Sequence, residues 1–271
     1  MYTSKKINDT PTFHETGYDA VGDLYDLEYS DCTGAELDFW ISECQRFGAR
    51  ILELAVGTGR IAGPLASHGF EVTGVDSSLG MLDQAAAKRG VMPINTRRNL
   101  TLVHGTMQDC SLDGSFDLVF VGFNSYLLLP DAEARVQTLS NAMRHLRPGG
   151  GLVVDVFSAT PLDSTPDHEN VEFLETEPTT GKRITRERFY TYNAATHRGQ
   201  STLIYRVHDG GGRIVNERQL GYSLALLTRD NLVSEFIEAN LDIETVHGTY
   251  TRDPWRTDSP NLIVVGRTEK R

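Results

Sequence analysis

Cysteine is scarce in this chain, tryptophan scarcer still, and long apolar runs are missing. Only three cysteines occur among 271 residues: Cys32, Cys44 and Cys110. They are odd in number, scattered, and without metal-ligand spacing. That excludes a disulfide framework and gives no reason to expect a metal, leaving reduced thiols of a cytoplasmic protein. No apolar stretch approaches the roughly 20 residues a membrane span needs. The first residues, Met1-Tyr2-Thr3-Ser4-Lys5-Lys6, lead into polar sequence rather than an apolar signal region. Basic charge is also short, with 26 Lys and Arg against 37 Asp and Glu, a net charge of -11. Proteins that grip a nucleic-acid backbone usually carry a basic face. The expected partner is therefore a small molecule, neither a nucleic acid nor a membrane, and a homo-oligomer is left open.

What is present is an alternation of short apolar runs and amphipathic stretches. Strands are expected at Ile51–Leu54, Glu71–Val75, Leu100–Val103, Phe116–Val121, Leu152–Phe157, Asp242–Val246 and Leu262–Gly266. Helices are expected at Glu36–Phe47, Ile61–Ser67, Leu79–Lys88, Ala132–Leu146 and Thr228–Asn240. This rhythm calls for an α/β fold: a Rossmann-like, seven-stranded, mostly parallel sheet with helices on both faces. Residues 1–16 are polar and expected to be mobile; Tyr18, Tyr25 and Tyr29 follow as an aromatic segment. After Phe157 the rhythm breaks, and residues 158–170, with Pro161 and Pro166, read as a loop. From 171 to 224 period two appears in Val171 and Phe173, Tyr190 and Tyr192, Leu203 to Val207, and Leu220 to Leu224. Asp209-Gly210-Gly211-Gly212 is a turn signal between two such runs. The expected organisation is an N-terminal lid segment over 1–35 and a main domain over 36–160 and 225–271. An inserted antiparallel β layer over 161–224 would cover the ligand side of the sheet.

Two motifs carry the chemistry. Ile51-Leu52-Glu53-Leu54-Ala55-Val56-Gly57-Thr58-Gly59-Arg60 is an apolar strand ending in a glycine loop that opens a helix. Glu71-Val72-Thr73-Gly74-Val75-Asp76 is a second buried strand ending in an acid, placed to hold a ribose diol. The spacing Gly57-x-Gly59-x-x-Ala62 also satisfies the dinucleotide fingerprint, so an NAD-dependent oxidoreductase is an alternative. Glu53 pulls away from it, because an acid aimed at the strand's carboxyl end repels a pyrophosphate and welcomes an ammonium group. A non-catalytic, cofactor-binding partner subunit is a third alternative.

The order of Glu53–Gly59, Val75-Asp76-Ser77, Phe116-Asp117-Leu118-Val119 and Leu146-Arg147-Pro148-Gly149-Gly150 resembles the class I S-adenosylmethionine-dependent methyltransferases. The similarity runs from about Tyr25 to Arg267. It is greatest to small-molecule enzymes of the glycine N-methyltransferase-like and amino-sugar N-methyltransferase-like kinds. The resemblance implies S-adenosyl-L-methionine as cofactor, with Glu53, Ala55 and Gly57 at its methionine end. It puts Asp76 on both ribose hydroxyls, Ser77 and Met81 near the adenine, and Thr106 and Met107 at the adenine edge. Phe123 and Asn124 would lie near the transferring methyl, and Tyr25 would close over the cofactor. The chain departs from the family where Thr106 replaces a common aspartate.

Acceptor chemistry is expected at the carboxyl ends of strands. His247, directly after the sixth strand, is the first candidate base, with Tyr250 and Asp253 in the same loop. Asp155 in the fifth strand and His104 after the third are further candidates. Arg186, Tyr190, Tyr192 and Tyr205 of the inserted layer would either touch substrate or form cross-strand pairs. The run Asn124-Ser125-Tyr126-Leu127 lacks the prolines common in base-modifying amino-methyltransferases. The function expected is methyl transfer to a nitrogen or oxygen of a small polar molecule, such as a natural-product or amino-sugar intermediate.

Overall fold

The computed structural model describes residues 16–29, 31–158, 167–176 and 181–269, with the side chains of 167–176 left aside. Residues 1–15, and the expected loop from 159 to 166, lie outside the described residues. The chain divides into two units, Gly22–Pro161 with Ala225–Arg271, and Met1–Val21 with Leu162–Leu224.

The first unit holds a seven-stranded sheet. Its strands are β1 (Arg50–Leu54), β2 (Glu71–Asp76), β3 (Leu100–His104), β4 (Phe116–Val121), β5 (Leu146–Phe157), β10 (Asp242–His247) and β11 (Asn261–Arg267). Their order is β10-β11-β5-β4-β1-β2-β3. All are parallel except β11, which runs antiparallel to both β5 and β10. Chain order reverses between β1 and β4, and in such sheets ligands bind at that switch point, beyond the strands' carboxyl ends.

The helices are α1 (Gly22–Glu28), α2 (Gly34–Phe47), α3 (Ala62–Ser67), α4 (Leu79–Val91), α5 (Ile94–Arg98), α6 (Ala132–His145) and α7 (Arg229–Glu238). The apolar stripe of α2 covers one face of the sheet. Trp40 stacks on Phe120 with ring centroids 4.4 Å apart. The Phe47 ring lies so close over Gly151 that a Cβ there would come within 2.4 Å of it. Phe236 of α7 packs on Gly266, whose neighbour Val265 points into the α2 cluster. Since side chains alternate along a strand, α2 and α7 lie on opposite faces. Caps fix the helix starts: Ser78 accepts from the Met81 amide, Asp131 from the Ala134 amide, and Thr228 with Asn231 forms a capping box. The box satisfies two amide donors that the first turn leaves unpaired.

All seven expected strands are present, and the structure corrects three details. β5 begins at Leu146, where the helix α6 has already ended at His145; Leu146 pairs with Phe116, and after an irregular stretch regular pairing resumes at Gly151. The short helices α1 and α5 were not expected. Residues 167–170 belong to a strand, β6 (Asp167–Thr176), rather than to a loop.

The second unit is a four-stranded sheet, β6-β7-β8-β9, with β7 (Arg183–Asn193), β8 (Arg198–His208) and β9 (Ile214–Ala225). The turn between β8 and β9 is the expected Asp209–Gly212 signal. The Asp209 carboxylate accepts from the Gly211 and Arg213 amides, and Gly212 takes φ +85°, where a side chain would be strained. Arg186 lies opposite Tyr205 in the β7–β8 register, and both are buried, so these two form a cross-strand pair. Tyr192 Oη is 3.0 Å from His197 Nδ1.

Candidate active site

The glycine loop begins where β1 ends. Ala55 and Gly57 take φ +61° and +56°, a left-handed turn that reverses the chain within three residues. The Val56 side chain tucks against Gly74 of β2, where an added Cβ would lie 2.5 Å from Val56 Cγ2. A residue with no side chain at position 74 is what lets the loop sit down on the sheet. Asp76 ends β2 and braces the same loop. Its carboxylate accepts from the Gly57 amide at 2.7 Å and from the Ser78 amide at 2.8 Å. Outside the turn, a Cβ on Gly57 would meet only the Met81 methyl, at 3.5 Å.

Helix α1 is fastened to this loop through charge. Asp26 accepts from the Thr58 hydroxyl at 2.6 Å and pairs with Lys88 of α4 at 2.9 Å. Gly22 packs on the Gly80 carbonyl, which a Cβ would approach to 2.5 Å. Tyr25, expected to close over the cofactor, sits on this helix, its ring 4.8 Å from that of Tyr29. The Tyr29 ring in turn meets Phe123 edge-on at 5.3 Å.

Glu53 is 3% exposed and points to the α2 side of the sheet, like Ile51 two residues before it. Its Oε2 has no hydrogen-bond partner. Burial holds its pKa well above the ordinary carboxylate value; the Arg60 charge and the Ala62 amide act against that rise. Arg60 is buried as well. Glu36 of α2 grips its guanidinium with both oxygens, one of them at 3.0 Å from Nη1. The same guanidinium lies 3.9 Å from the Phe123 ring centroid, a cation–π contact in a desolvated setting.

At the ends of β4 and β5 the backbone is again left-handed, with φ +50° at Phe123 and +70° at Asn124. The Asn124 side chain ties this turn to the end of β5: its Oδ1 accepts from the Phe157 amide at 2.6 Å. Asp155 of β5 is 2% exposed. Its Oδ2 accepts from the Phe123 amide at 3.1 Å and from the Tyr250 hydroxyl at 2.8 Å, while Oδ1 has no partner. Burial raises its pKa to about 6, with the Tyr250 and Phe123 hydrogen bonds opposing. The Tyr250 hydroxyl, held far above its ordinary pKa by burial and the Asp155 charge, remains a donor.

His247 stands apart from these contacts. Its Nε2 is 3.1 Å from the Thr245 hydroxyl, and its ring meets Phe39 edge-on at 6.1 Å. Burial lowers its pKa, so it is neutral at physiological pH. At the far end of the site, Met107 is fixed by its carbonyl, which accepts from Asn141 at 3.0 Å. The Thr106 hydroxyl donates to Asp109, so the exposed carboxylate here comes from position 109, three residues beyond the substitution. Ser77 is exposed, and its carbonyl is 3.1 Å from His104 Nε2.

The structure thus joins Glu53, Asp76, Phe123, Asn124 and Tyr250 around the ends of β1, β2, β4 and β5. Sequence reasoning missed Glu36 and Arg60. Arg60 follows the glycine loop directly and could have been read as its counter-charge; Glu36 carried no such signal.

The matching family model is that of a methyltransferase domain, over residues 51–150. A cypemycin N-terminal methyltransferase from a Streptomyces species is 27% identical over 263 residues, 96% of this chain and 98% of its own. A demethylmenaquinone methyltransferase from Corynebacterium kroppenstedtii is 30% identical over 214 residues, 75% of this chain and 87% of its own. The solved CcbJ methyltransferase of Streptomyces caelestis superposes with a TM-score of 0.76 at 25% identity, covering 93% of this chain and 97% of that one. The chain belongs to the class I S-adenosylmethionine-dependent methyltransferases. These similarities give no support to an NAD-dependent oxidoreductase. The site fits the methyltransferase cofactor: a buried acid with an unpartnered oxygen lies under an open glycine turn, and carboxylates outnumber the one guanidinium. That charge balance suits a sulfonium and an ammonium group, and would oppose a pyrophosphate.

Proposed function

We propose that this methyltransferase acts on an amino nitrogen of a small natural-product molecule. The observation that carries the reading is the concentration of carboxylates, buried Glu53 and Asp155 with half-buried Glu36, around the cation Arg60. An environment of that sign favours an acceptor that is cationic in water over an anionic or neutral one. The relative named for methylating the N-terminus of cypemycin supports the same acceptor class.

In this reading Glu53, Ala55 and Gly57 hold the methionine end of the cofactor, Asp76 its ribose, and Ser77, Met81, Thr106 and Met107 its adenine. Bound there, S-adenosylmethionine supplies a methyl group already activated on a sulfonium. The chain's own contribution is positioning, which alone can lower a barrier by roughly 7–11 kcal/mol. Tyr25, Tyr29 and Phe123 form an aromatic wall that excludes water. Arg60, fixed by Glu36, holds the Phe123 ring in place from the other side. A nitrogen acceptor has its own lone pair, so no strong base is required. A cytoplasmic enzyme with three reduced thiols belongs to the same proposal.

A second reading, an oxygen acceptor, is favoured by one observation: His247 is neutral and so could take a proton, with Tyr250 three residues on. The two readings separate in a screen of amine and hydroxyl acceptors with radiolabelled methyl donor. We expect label in amines, and His247→Asn to keep turnover within about threefold, since the ring contacts Thr245 and Phe39 and neither Asp155 nor the glycine loop. Label appearing in hydroxyl acceptors alone, and lost in His247→Asn, would reverse the choice.

A further inference from the structure

We infer that Asp155 is the specificity-determining residue for the acceptor, its free Oδ1 accepting a hydrogen bond from the acceptor's amino N–H. The inference rests on the proposal that the acceptor is an amine, and goes beyond it by naming the atom that reads the amine.

Other aspartates of this chain are held at both oxygens. Asp76 uses both oxygens on backbone amides. Asp117 also has both oxygens occupied, Oδ2 accepting from the Arg50 amide at 2.9 Å and Oδ1 from the Arg147 guanidinium. A carboxylate kept for structure thus has both oxygens occupied. Asp155 is more deeply buried than either, yet only Oδ2 is used. Leaving a buried acceptor unsatisfied is costly, more so when it is charged. Such a group is retained when a ligand completes it.

Position supports the same conclusion. Gly151, Val153 and Asp155 alternate onto the α2 face of β5, and only Phe157 follows Asp155 on that face before the strand's carboxyl end. Gly122, the residue after β4, continues the Val121–Val154 register to the level of Asp155 and carries no side chain there; Ile61 fills the space, 2.7 Å from where a Cβ would lie. The Phe123 amide, bonded to Oδ2, ties the carboxylate to the residue expected beside the transferring methyl. The Tyr250 hydroxyl donates to the same oxygen. Two donors on one oxygen lock the carboxyl plane and leave Oδ1 a fixed direction. Glu53 also has an unpartnered oxygen, but it lies under the glycine loop, at the cofactor's methionine end, and serves as the control.

Calorimetry on the full chain tests this without a known acceptor. The probes are S-adenosylhomocysteine and two analogues in which its sulfur is replaced by nitrogen bearing a short arm. One arm ends in an ammonium group, the other in a methyl of the same length. We expect the wild type to bind the ammonium arm about tenfold or more tighter than the methyl arm, about 1.4 kcal/mol. In Asp155→Asn that preference should fall to within about twofold, with S-adenosylhomocysteine affinity within about threefold of wild type. Glu53→Gln should instead weaken all three ligands together. A preference that survives in Asp155→Asn overturns the inference. Absence of any ammonium preference in the wild type overturns it together with the amine proposal, while S-adenosylhomocysteine still binds. Failure of S-adenosylhomocysteine to bind at all would instead remove the cofactor assignment. If Asp155→Asn does not melt cooperatively, Tyr250→Phe replaces it: removing one of the two donors on Oδ2 should change the ammonium preference by about threefold or more, and an unchanged preference counts against Asp155.

Discussion

Arg60 carries the positive charge that the buried carboxylates share. It faces Glu36 directly and moderates the charge on Glu53 and Asp155. Removing one partner of a buried ion pair leaves an uncompensated charge, which costs about 3–5 kcal/mol. Arg60→Met is therefore expected to lower unfolding stability by about that amount at neutral pH, read as a shift of the urea midpoint. A change below about 1 kcal/mol would show that the pair contributes little. Asp76 makes a different case. Its two amide bonds hold the loop as well as any ligand, so Asp76→Ala should weaken S-adenosylhomocysteine binding by at least about 1 kcal/mol. Titration calorimetry showing unchanged affinity would take Asp76 out of the site. At this scale Glu53, Asp76, Phe123 and Asn124 were legible because each sits at a strand end within a recognisable motif. Glu36 was not, because nothing in the spacing of a surface-patterned helix says that one glutamate turns inward to meet an arginine 24 residues later.

Among the elements, the glycine loop depends on a residue that is not in it. Gly74→Ala would drive a methyl into Val56, and overpacking of this kind costs about 1–3 kcal/mol. We expect a lower melting temperature and weaker S-adenosylhomocysteine binding, both largely restored by adding Val56→Ala. Failure of the second change to restore binding would mean that the clash lies elsewhere. The helix α1 shows why some elements escaped sequence reasoning. Its seven residues are too short to announce themselves by periodicity, and isolated helices of that length are unstable in water. It persists through Asp26, Thr58 and Lys88 and through Gly22 against Gly80, contacts made with distant parts of the chain. Arg147 and Gly149–Gly151 misled in the opposite way. They carry the signature of a helix stop, and in the structure they already lie within β5, where Gly151 pairs with Leu118 and Arg267 and where Gly149 and Gly150 bond to the backbone of Glu269 and Thr268.

For the whole molecule, the buried acids set the response to pH. Asp155 has a folded pKa of about 6, raised by burial, against about 3.9 in an unfolded chain. Between those values the folded state holds a proton that the unfolded state has released. Stability contributed by this group is therefore greatest below about pH 4 and falls as pH rises through about 6. The difference corresponds to about 3 kcal/mol. Glu53 acts in the same direction. Asp155→Asn should accordingly be more stable than the wild type at pH 8, with the gap closing toward pH 4, as followed by urea unfolding across that range. Parallel pH profiles for the two proteins would refute it. A stabilised variant that loses ammonium selectivity is the trade expected where a strained group serves binding.

The sequence by itself determined the alternation of strands and helices, the glycine loop with its two acids, and the cofactor class. Those features are local: each is a periodicity, a turn or a strand end readable within a few residues. Tertiary structure alone decided which side chains meet. Glu36 and Tyr250 are 214 residues apart, with Tyr250 Oη 3.5 Å from Glu36 Oε1, and Asp155 joins them through the register of β5 between β4 and β11. Register and alternation choose the face on which a side chain lies, and burial then fixes its charge; neither quantity exists until the sheet has formed.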